Sequence, residues 1–263
     1  MGTYLGLLAF GGLVGVFGTL IGAGGGFILA PVLLLLYPHE SPDTITSISL
    51  AVTFANATSG SVAYARMGRI SYKYGIIFAA AAVPGSVLGA LSTYYVSRWL
   101  FDLIFAVMLL GISVLVFVKA PPAGHAPANE SFHLDRRGLV IGIVISIGVG
   151  FLSSFLGIGG GIIHVPALAG ILGFPVHVAT ATSHFILAIT ALVGTIVHIA
   201  SGTFHHGVRR ALVLAAGVLV GAQIGARAST RVHGRVIIRA LAVALAVVSV
   251  RLLVMVFTFH TPA

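Results

Sequence analysis

Two long apolar stretches of this chain are broken in the same way. Gly22, Ala23, Gly24, Gly25 and Gly26 interrupt the run from Tyr4 to Leu36, and Gly157, Ile158, Gly159, Gly160 and Gly161 interrupt the run from Gly138 to Phe174. A proline follows the last glycine by five residues in both, at Pro31 and Pro166, so the two copies match at an offset of 135. The correspondence continues, with Thr46-Ser47 answering Thr182-Ser183 and Gly85-x-x-x-Gly89 answering Gly221-x-x-x-Gly225. This is a duplication. Glycine lowers helix stability by about 1 kcal/mol relative to alanine, so four glycines in five residues, twice over, mark deliberate helix breaks. In lipid, broken backbone is tolerated only where it faces protein or a water-filled cavity. Interrupted apolar segments at matching positions of two halves point to a transporter's substrate site.

The class of protein follows from composition. The chain is 58% hydrophobic and 7% charged, and apolar stretches of about 20 residues recur along it, enough to cross a bilayer many times. It reads as an all-α polytopic membrane protein. Eight apolar segments are expected, near 4–36 (broken), 44–65, 74–97, 99–118, 138–173 (broken), 178–200, 208–229 and 236–258. They divide into a first repeat (1–118), a polar linker (119–137) and a second repeat (138–263), with the first helix of each repeat broken. The net charge of +9 lies mainly in short loops between segments, which is a membrane-orientation signal rather than a nucleic-acid footprint. With no cysteine, disulfides, thiolate metal sites and cysteine nucleophiles are excluded. The first apolar run is expected to be retained as a span, because no small-residue cleavage site followed by polar chain ends it.

The motif Gly-x-Gly-Gly-Gly, then an apolar stretch and Pro, then Ala-x-x-Thr-Ser-type residues opening the next helix, is given twice in 263 residues. It resembles the TauE/SafE sulfite exporter family, also called the 4-toluene sulfonate uptake permeases, and the likeness covers essentially the whole chain. The resemblance implies a bacterial inner-membrane, multi-pass carrier of sulfite, sulfonates or related organic anions. The second half departs by carrying His184 directly after Thr182-Ser183, where the first half has Ile48.

Two topologies compete. If each broken segment crosses once, Arg66, Arg69, Lys73, Lys119, Arg136, Arg137, Arg209 and Arg210 share one side, and Arg98, Arg227, Arg231 and Arg235 take the other. If each is a re-entrant hairpin, the halves are inverted. Arg227, Arg231 and Arg235 then join the positive side, and Arg98, Arg209 and Arg210 lie opposite. The positive-inside rule favours this nine-to-three split over eight-to-four. Length agrees: the 33 residues from Tyr4 to Leu36 would extend about 50 Å as one helix, against a hydrocarbon core of roughly 30 Å. A strongly tilted, broken single span remains the alternative.

A helix that restarts after a glycine run presents unpaired amides and the positive end of its dipole, and an anion fits there. The expected substrate-binding set is therefore Gly22, Gly24, Gly25 and Gly26 with Gly157, Gly159, Gly160 and Gly161. The hydroxyls of Thr19, Ser154, Thr46, Ser47, Thr182 and Ser183 would complete the shell, with Asn56, His164 and His184 as polar additions. Each has a plainer role: the glycine runs as close packing, Asn56 as an interhelical bond, the histidines as neutral structural groups. Arg251 reads as snorkelling, Asp102 as interfacial, and Gln223 with the two glycine pairs as packing seams. His205-His206 has no carboxylate neighbour in sequence, so no metal is expected there.

Only five acids occur, at Glu40, Asp43, Asp102, Glu130 and Asp135, none central to a segment, which disfavours a cation carrier. Walker, H-E-x-x-H and G-x-S-x-G motifs are all missing, which disfavours ATP-driven pumping, intramembrane proteolysis and enzyme activity in general. The expectation is a secondary carrier of a small, sulfur-containing anion, working by alternating access around the two breaks. A coupling proton and a homodimer are compatible partners, and no cofactor or metal is expected. A passive anion channel and a membrane scaffold without transport are the alternatives.

Overall fold

The computed structural model describes residues 2–118, 134–204, 207–229 and 234–259, and all regular structure among them is helical. The first half comprises α1 (Gly2–Ile21), α2 (Gly26–Leu36), α3 (Pro42–Arg66), α4 (Tyr72–Ser92) and α5 (Arg98–Val118). The second repeats the series as α6 (Arg136–Leu156), α7 (Gly161–Pro166), α8 (Val176–Ala200), α9 (Val208–Ala228) and α10 (Gly234–Phe259). Both broken segments thus resolve into a long helix and a short one. Residues 119–133 of the expected linker, His205-His206, Lys119 and Arg231 lie outside the described residues.

Local chemistry sets several boundaries. The Asp135 side chain accepts a hydrogen bond from the Gly138 amide at 2.8 Å and caps α6, as aspartate does at a helix start. Pro42 opens α3 behind an extended Ser41, the helix position where a missing N–H costs nothing. Pro166 ends α7 for the opposite reason, and the chain continues as a π-helical turn over Ala167–Ile171.

Among the described residues, five helices are long and apolar enough to cross a membrane: Tyr4–Ile21, Tyr72–Tyr95, Arg136–Leu156, Val176–Ala200 and Val208–Ala228. The chain is a multi-pass membrane protein. Helix α3 is polar for a span, yet Thr44, Thr46, Ser47, Ser49, Thr53 and Asn56 are all buried within the bundle, where neighbouring helices replace lipid as solvent.

The packing pattern maps onto itself when the halves are exchanged. Helix α1 lies on α9 and α6 on α4, while α3 meets α8 and α5 meets α10. Small residues permit the first two seams. A β-carbon on Gly15 would fall 2.7 Å from the Val218 carbonyl oxygen, and one on Gly89 would fall 3.0 Å from the Phe155 amide, so backbone meets backbone as in small-xxx-small packing. Gly11 sits at Leu214, Gly15 at Val218 and Val16 at Gly225, so α1 and α9 run parallel. Gly85 at Ile147 and Gly89 at Phe155 give the same sense to α4 and α6. Helices α3 and α8 run antiparallel, with Thr46 beside His198, Leu50 beside Gly194 and Gly60 beside His184. Helix α2 is enclosed by the main core, where Phe27, Leu29, Leu33 and Leu34 join Phe101, Phe105 and Leu109 of α5 and Leu214 and Val218 of α9.

Candidate functional site

Each glycine turn reverses the chain. The amides of Gly22, Ala23 and Gly24 bond back to the carbonyls of Thr19 and Gly18, and Gly22, Gly24 and Gly25 take φ of 80°, 78° and 79°, conformations that side chains rarely allow. The turn folds Gly25 back along α1, so that a β-carbon there would lie 2.6 Å from Val14 Cγ1 and 3.0 Å from the Val14 carbonyl oxygen. Its counterpart Gly160 sits likewise against Val149 and Ser153, 3.3 Å from the Val149 carbonyl oxygen on the same measure. Val149 is 135 residues beyond Val14, so the two reversals are equivalent.

The turns also touch one another. A β-carbon on Gly26 would fall 2.7 Å from the carbonyl carbon of Ile158, and one on Gly161 would fall 2.5 Å from the Gly22 oxygen. No side chain larger than hydrogen fits between them. Thr53 and Leu187, each the twelfth residue of a 25-residue helix, flank both Gly24 and Gly159. The crossing therefore lies at the mid-height of α3 and α8.

The first turn is lined with polar groups. Thr19 Oγ1 donates to Asn56 Oδ1 at 3.0 Å and lies 3.4 Å from His184 Nε2. The Tyr64 hydroxyl donates to the Thr19 carbonyl at 2.7 Å, and its ring meets the His184 ring edge-on. Besides His184 Nδ1, two groups are left over: Asn56 Nδ2 and Thr53 Oγ1 are fully buried without a hydrogen-bond partner. Both are aimed at the start of α2, with Nδ2 3.4 Å from where a β-carbon on Gly25 would sit and Oγ1 2.5 Å from the same point on Gly26. Among the described residues no acceptor meets the amides of Gly25, Gly26 and Phe27 either. A buried, unsatisfied polar group costs about 1–3 kcal/mol, so this cluster is one an incoming acceptor would stabilise.

The second turn is arranged otherwise. Ser153 Oγ accepts the Gly160 amide at 2.6 Å, and α7 has six residues, too few for a substantial dipole. Ser154, the counterpart of Thr19, has an unpartnered hydroxyl facing Gly194 and Leu50. The packing makes Leu187 the counterpart of Thr53 and Thr190 that of Asn56, and the Thr190 hydroxyl already donates to the Leu187 carbonyl. The polar cluster therefore exists once.

The remaining candidates serve elsewhere. Ser183 Oγ donates to the Gly22 carbonyl at 3.4 Å and thereby ties α8 to the first turn. Ser49, absent from the expected set, donates to the Gly157 carbonyl at 2.6 Å and ties α3 to the second. Ser47 bonds to its own helix at the Thr44 carbonyl, and Thr182 Oγ1 accepts the Ser71 amide. Thr46 Oγ1 donates to the Asp43 carbonyl and approaches His198 Nε2 at 3.4 Å. His164 pairs with Ser146 Oγ at 3.1 Å against α6, away from the cluster. Gln223 donates to Ser59, a packing contact as expected. Thr53, Tyr64, Ser49, Ser153 and His198 carried no signal in the sequence, because their relation to the turns is created by helices distant along the chain.

A bundle of paired broken helices, with polar groups gathered at the breaks and apolar helices outside, defines a membrane transporter. The family described as Sulfite exporter TauE/SafE matches residues 7–252, and the chain belongs to it. Its members are transporters rather than enzymes. The chain is 32% identical over 235 residues to a probable membrane transporter protein, YunE, of Bacillus subtilis (strain 168), covering 82% of this chain and 85% of that protein. It is 28% identical over 207 residues to the probable membrane transporter protein MJ0441 of Methanocaldococcus jannaschii, covering 75% of this chain and 73% of that protein. No solved structure matches it.

Proposed function

We propose that this protein is a secondary carrier of a small anion, of the sulfite or sulfonate kind, in a bacterial inner membrane. The observation that carries the reading is the pair of buried, unpartnered donors, Asn56 Nδ2 and Thr53 Oγ1, beside the open amides at the start of α2. Helix N-termini attract anions through those amides and the dipole, and here the glycines bring backbone within reach of a ligand. His184, through Thr19, is the group suited to a coupling proton.

The transport cycle is alternating access by two inverted halves, with each broken segment a re-entrant hairpin. Several contacts support this. Arg210 Nη1 pairs with Glu40 Oε1 at 2.8 Å, while Arg98 donates to the carbonyls of Leu34, Tyr37 and Glu40. Arg98 and Arg210 therefore share one end of the bundle, which supports the hairpin scheme over the single-crossing one. Tyr74 OH accepts the Leu134 amide, and Ala226 packs with Tyr64 and Ile70, so the loop after α3, the start of α6 and the end of α9 share the other. Helix α2 ends at the Arg98 end, where α1 began beside α9. The antiparallel run of α3 and α8, which are equivalent helices, also supports inversion.

Counter-flow of labelled methanesulfonate or sulfite into proteoliposomes tests the carrier. Saturable, trans-stimulated uptake is expected. Unsaturated conductance would replace the carrier by a channel, and no flux of any anion would leave a scaffold.

A further inference from the structure

The buried donors at the first turn are all uncharged. They are the Asn56 amide, the Thr53 hydroxyl and the amides of Gly25, Gly26 and Phe27. Every lysine and arginine whose side chain is described is at least partly exposed, and the buried charged or polar residues include neither type. The titratable groups that face the cluster are His184 from α8, whose Nδ1 is buried without a partner, and Tyr64 from α3, and no buried carboxylate among the described residues stands near it. Asp102, which is buried, bonds to Arg98 at the bundle end.

We infer that this site selects its ligand by charge: it takes a compact oxyanion carrying one negative charge and rejects the same oxyanion carrying two. The inference rests on the anion-carrier reading and goes beyond it by naming the charge state. The cost of moving an ion from water to a low-dielectric interior rises with the square of its charge. One negative charge is matched by the partial positive end of α2, roughly half an elementary charge, together with two side-chain donors. With His184 neutral, a second charge has no cation among the described residues to meet it. Unlike sites that clamp dianions with arginine forks, this one offers donors that satisfy oxygen lone pairs without neutralising charge. It is also single. In the second half the counterpart of Thr53 is Leu187, the Thr190 hydroxyl at the counterpart of Asn56 is spent on the Leu187 carbonyl, and the Gly160 amide is taken by Ser153, so one anion is bound per protein chain.

Thermal unfolding of the purified full chain in detergent tests this with three probes at equal concentration. Methanesulfonate is a permanent monoanion, sulfate a dianion near neutral pH, and sulfite passes from one charge to two near neutrality. Methanesulfonate is expected to raise Tm, because a ligand that binds the native state stabilises it by mass action, and sulfate to leave it unchanged. The apparent affinity for sulfite should fall about tenfold per pH unit above its second ionisation, while methanesulfonate binding, as the control for His184 and Tyr64, stays nearly level across the same range. Asn56→Leu, which removes the amide donor, should abolish the methanesulfonate shift while keeping the unliganded Tm. Equal stabilisation by sulfate, a sulfite affinity independent of pH, or a full methanesulfonate shift in Asn56→Leu would each overturn the inference, as would no shift with any probe. Methanesulfonate binding without counter-flow would sink the carrier reading and leave the charge selection standing. Counter-flow of sulfate as fast as methanesulfonate would do the reverse.

Discussion

At Asn56 one amide faces two tasks. Its oxygen accepts the Thr19 hydroxyl, while its nitrogen is buried with nothing to bind. Leucine at this position removes the unsatisfied nitrogen as well as the bond to Thr19, so the two changes partly offset, and stability should move by about 1 kcal/mol or less. Flux, by contrast, should be lost. Unchanged counter-flow in Asn56→Leu would remove Asn56 from the site. Arg98 shows the opposite balance. It holds Asp102 at 2.8 Å and caps the end of α2, and Asp102 is 3% exposed. Arg98→Ala leaves that carboxylate buried without its cation, which costs about 3 kcal/mol and should appear as a large drop in Tm. A drop no bigger than that of a surface substitution would show that the pair contributes little. His184 meets Thr19 and the Tyr64 ring. If it carries the coupling proton, His184→Gln should flatten the pH dependence of flux between about pH 5 and 8 in a folded protein, and an unaltered profile would assign it to structure.

Among the helices, the glycines divide into two kinds. Those of α9 and α4 are seams: a β-carbon on Gly221 would meet the Gly12 carbonyl, and one on Gly89 the Phe151 carbonyl. Gly221→Leu should therefore prevent α1 from docking, and the expected outcome is loss of monodisperse protein in size-exclusion chromatography. A well-folded Gly221→Leu would show that α1 and α9 do not need this contact distance. Glycines of the turns are constrained twice, by a left-handed φ and by backbone on the far side. Valine at Gly25 or Gly160 consequently tests folding before it tests binding, since the neighbours at Val14 and Val149 leave no room. Side-chain substitutions at Thr53 and Asn56 separate the two questions better. Helix α2 contributes differently again: apolar on every face and enclosed by core, it holds its amides at mid-height, while Arg98 receives its carbonyl end.

At the scale of the whole molecule, exchange of the halves preserves which helices pack together but not their chemistry. The ends of the bundle differ as well. Glu40 is bracketed by Arg98 and Arg210, and the Arg210 guanidinium lies 4.1 Å from the centre of the Tyr37 ring. At the other end Tyr74 meets Phe174 edge-on in their place. The positive-inside rule predicts that the end holding Arg66, Arg69, Lys73, Arg136, Arg137 and Arg227 faces the cytoplasm. Reporter tags should accordingly place the 119–137 linker in the cytoplasm and a tag after Ala263 in the periplasm. Both tags on one side would refute inverted halves.

By itself the sequence determined that this chain lives in a membrane, that it is a duplication, and that its first helices break at the glycines. Those properties are local: apolar run length, recurrence at a fixed offset, and the intrinsic cost of glycine in a helix. It also marked Thr19, Asn56 and His184, which meet at the first turn as neighbours from α1, α3 and α8. It grouped His164 with them on proximity along the chain, whereas the fold turns that side chain toward Ser146. Nor did the sequence separate Ser183, which ties the first turn, from Thr182, which receives the Ser71 amide from another helix. Thr53 and Ser153 were invisible among many buried hydroxyls, and only the tertiary structure left one unpaired while spending the other on Gly160. The physical reason is that hydrogen-bond satisfaction in a bundle is settled between helices. A chain that reads as two matching turns therefore folds into one turn with open donors and one whose central amide is already taken.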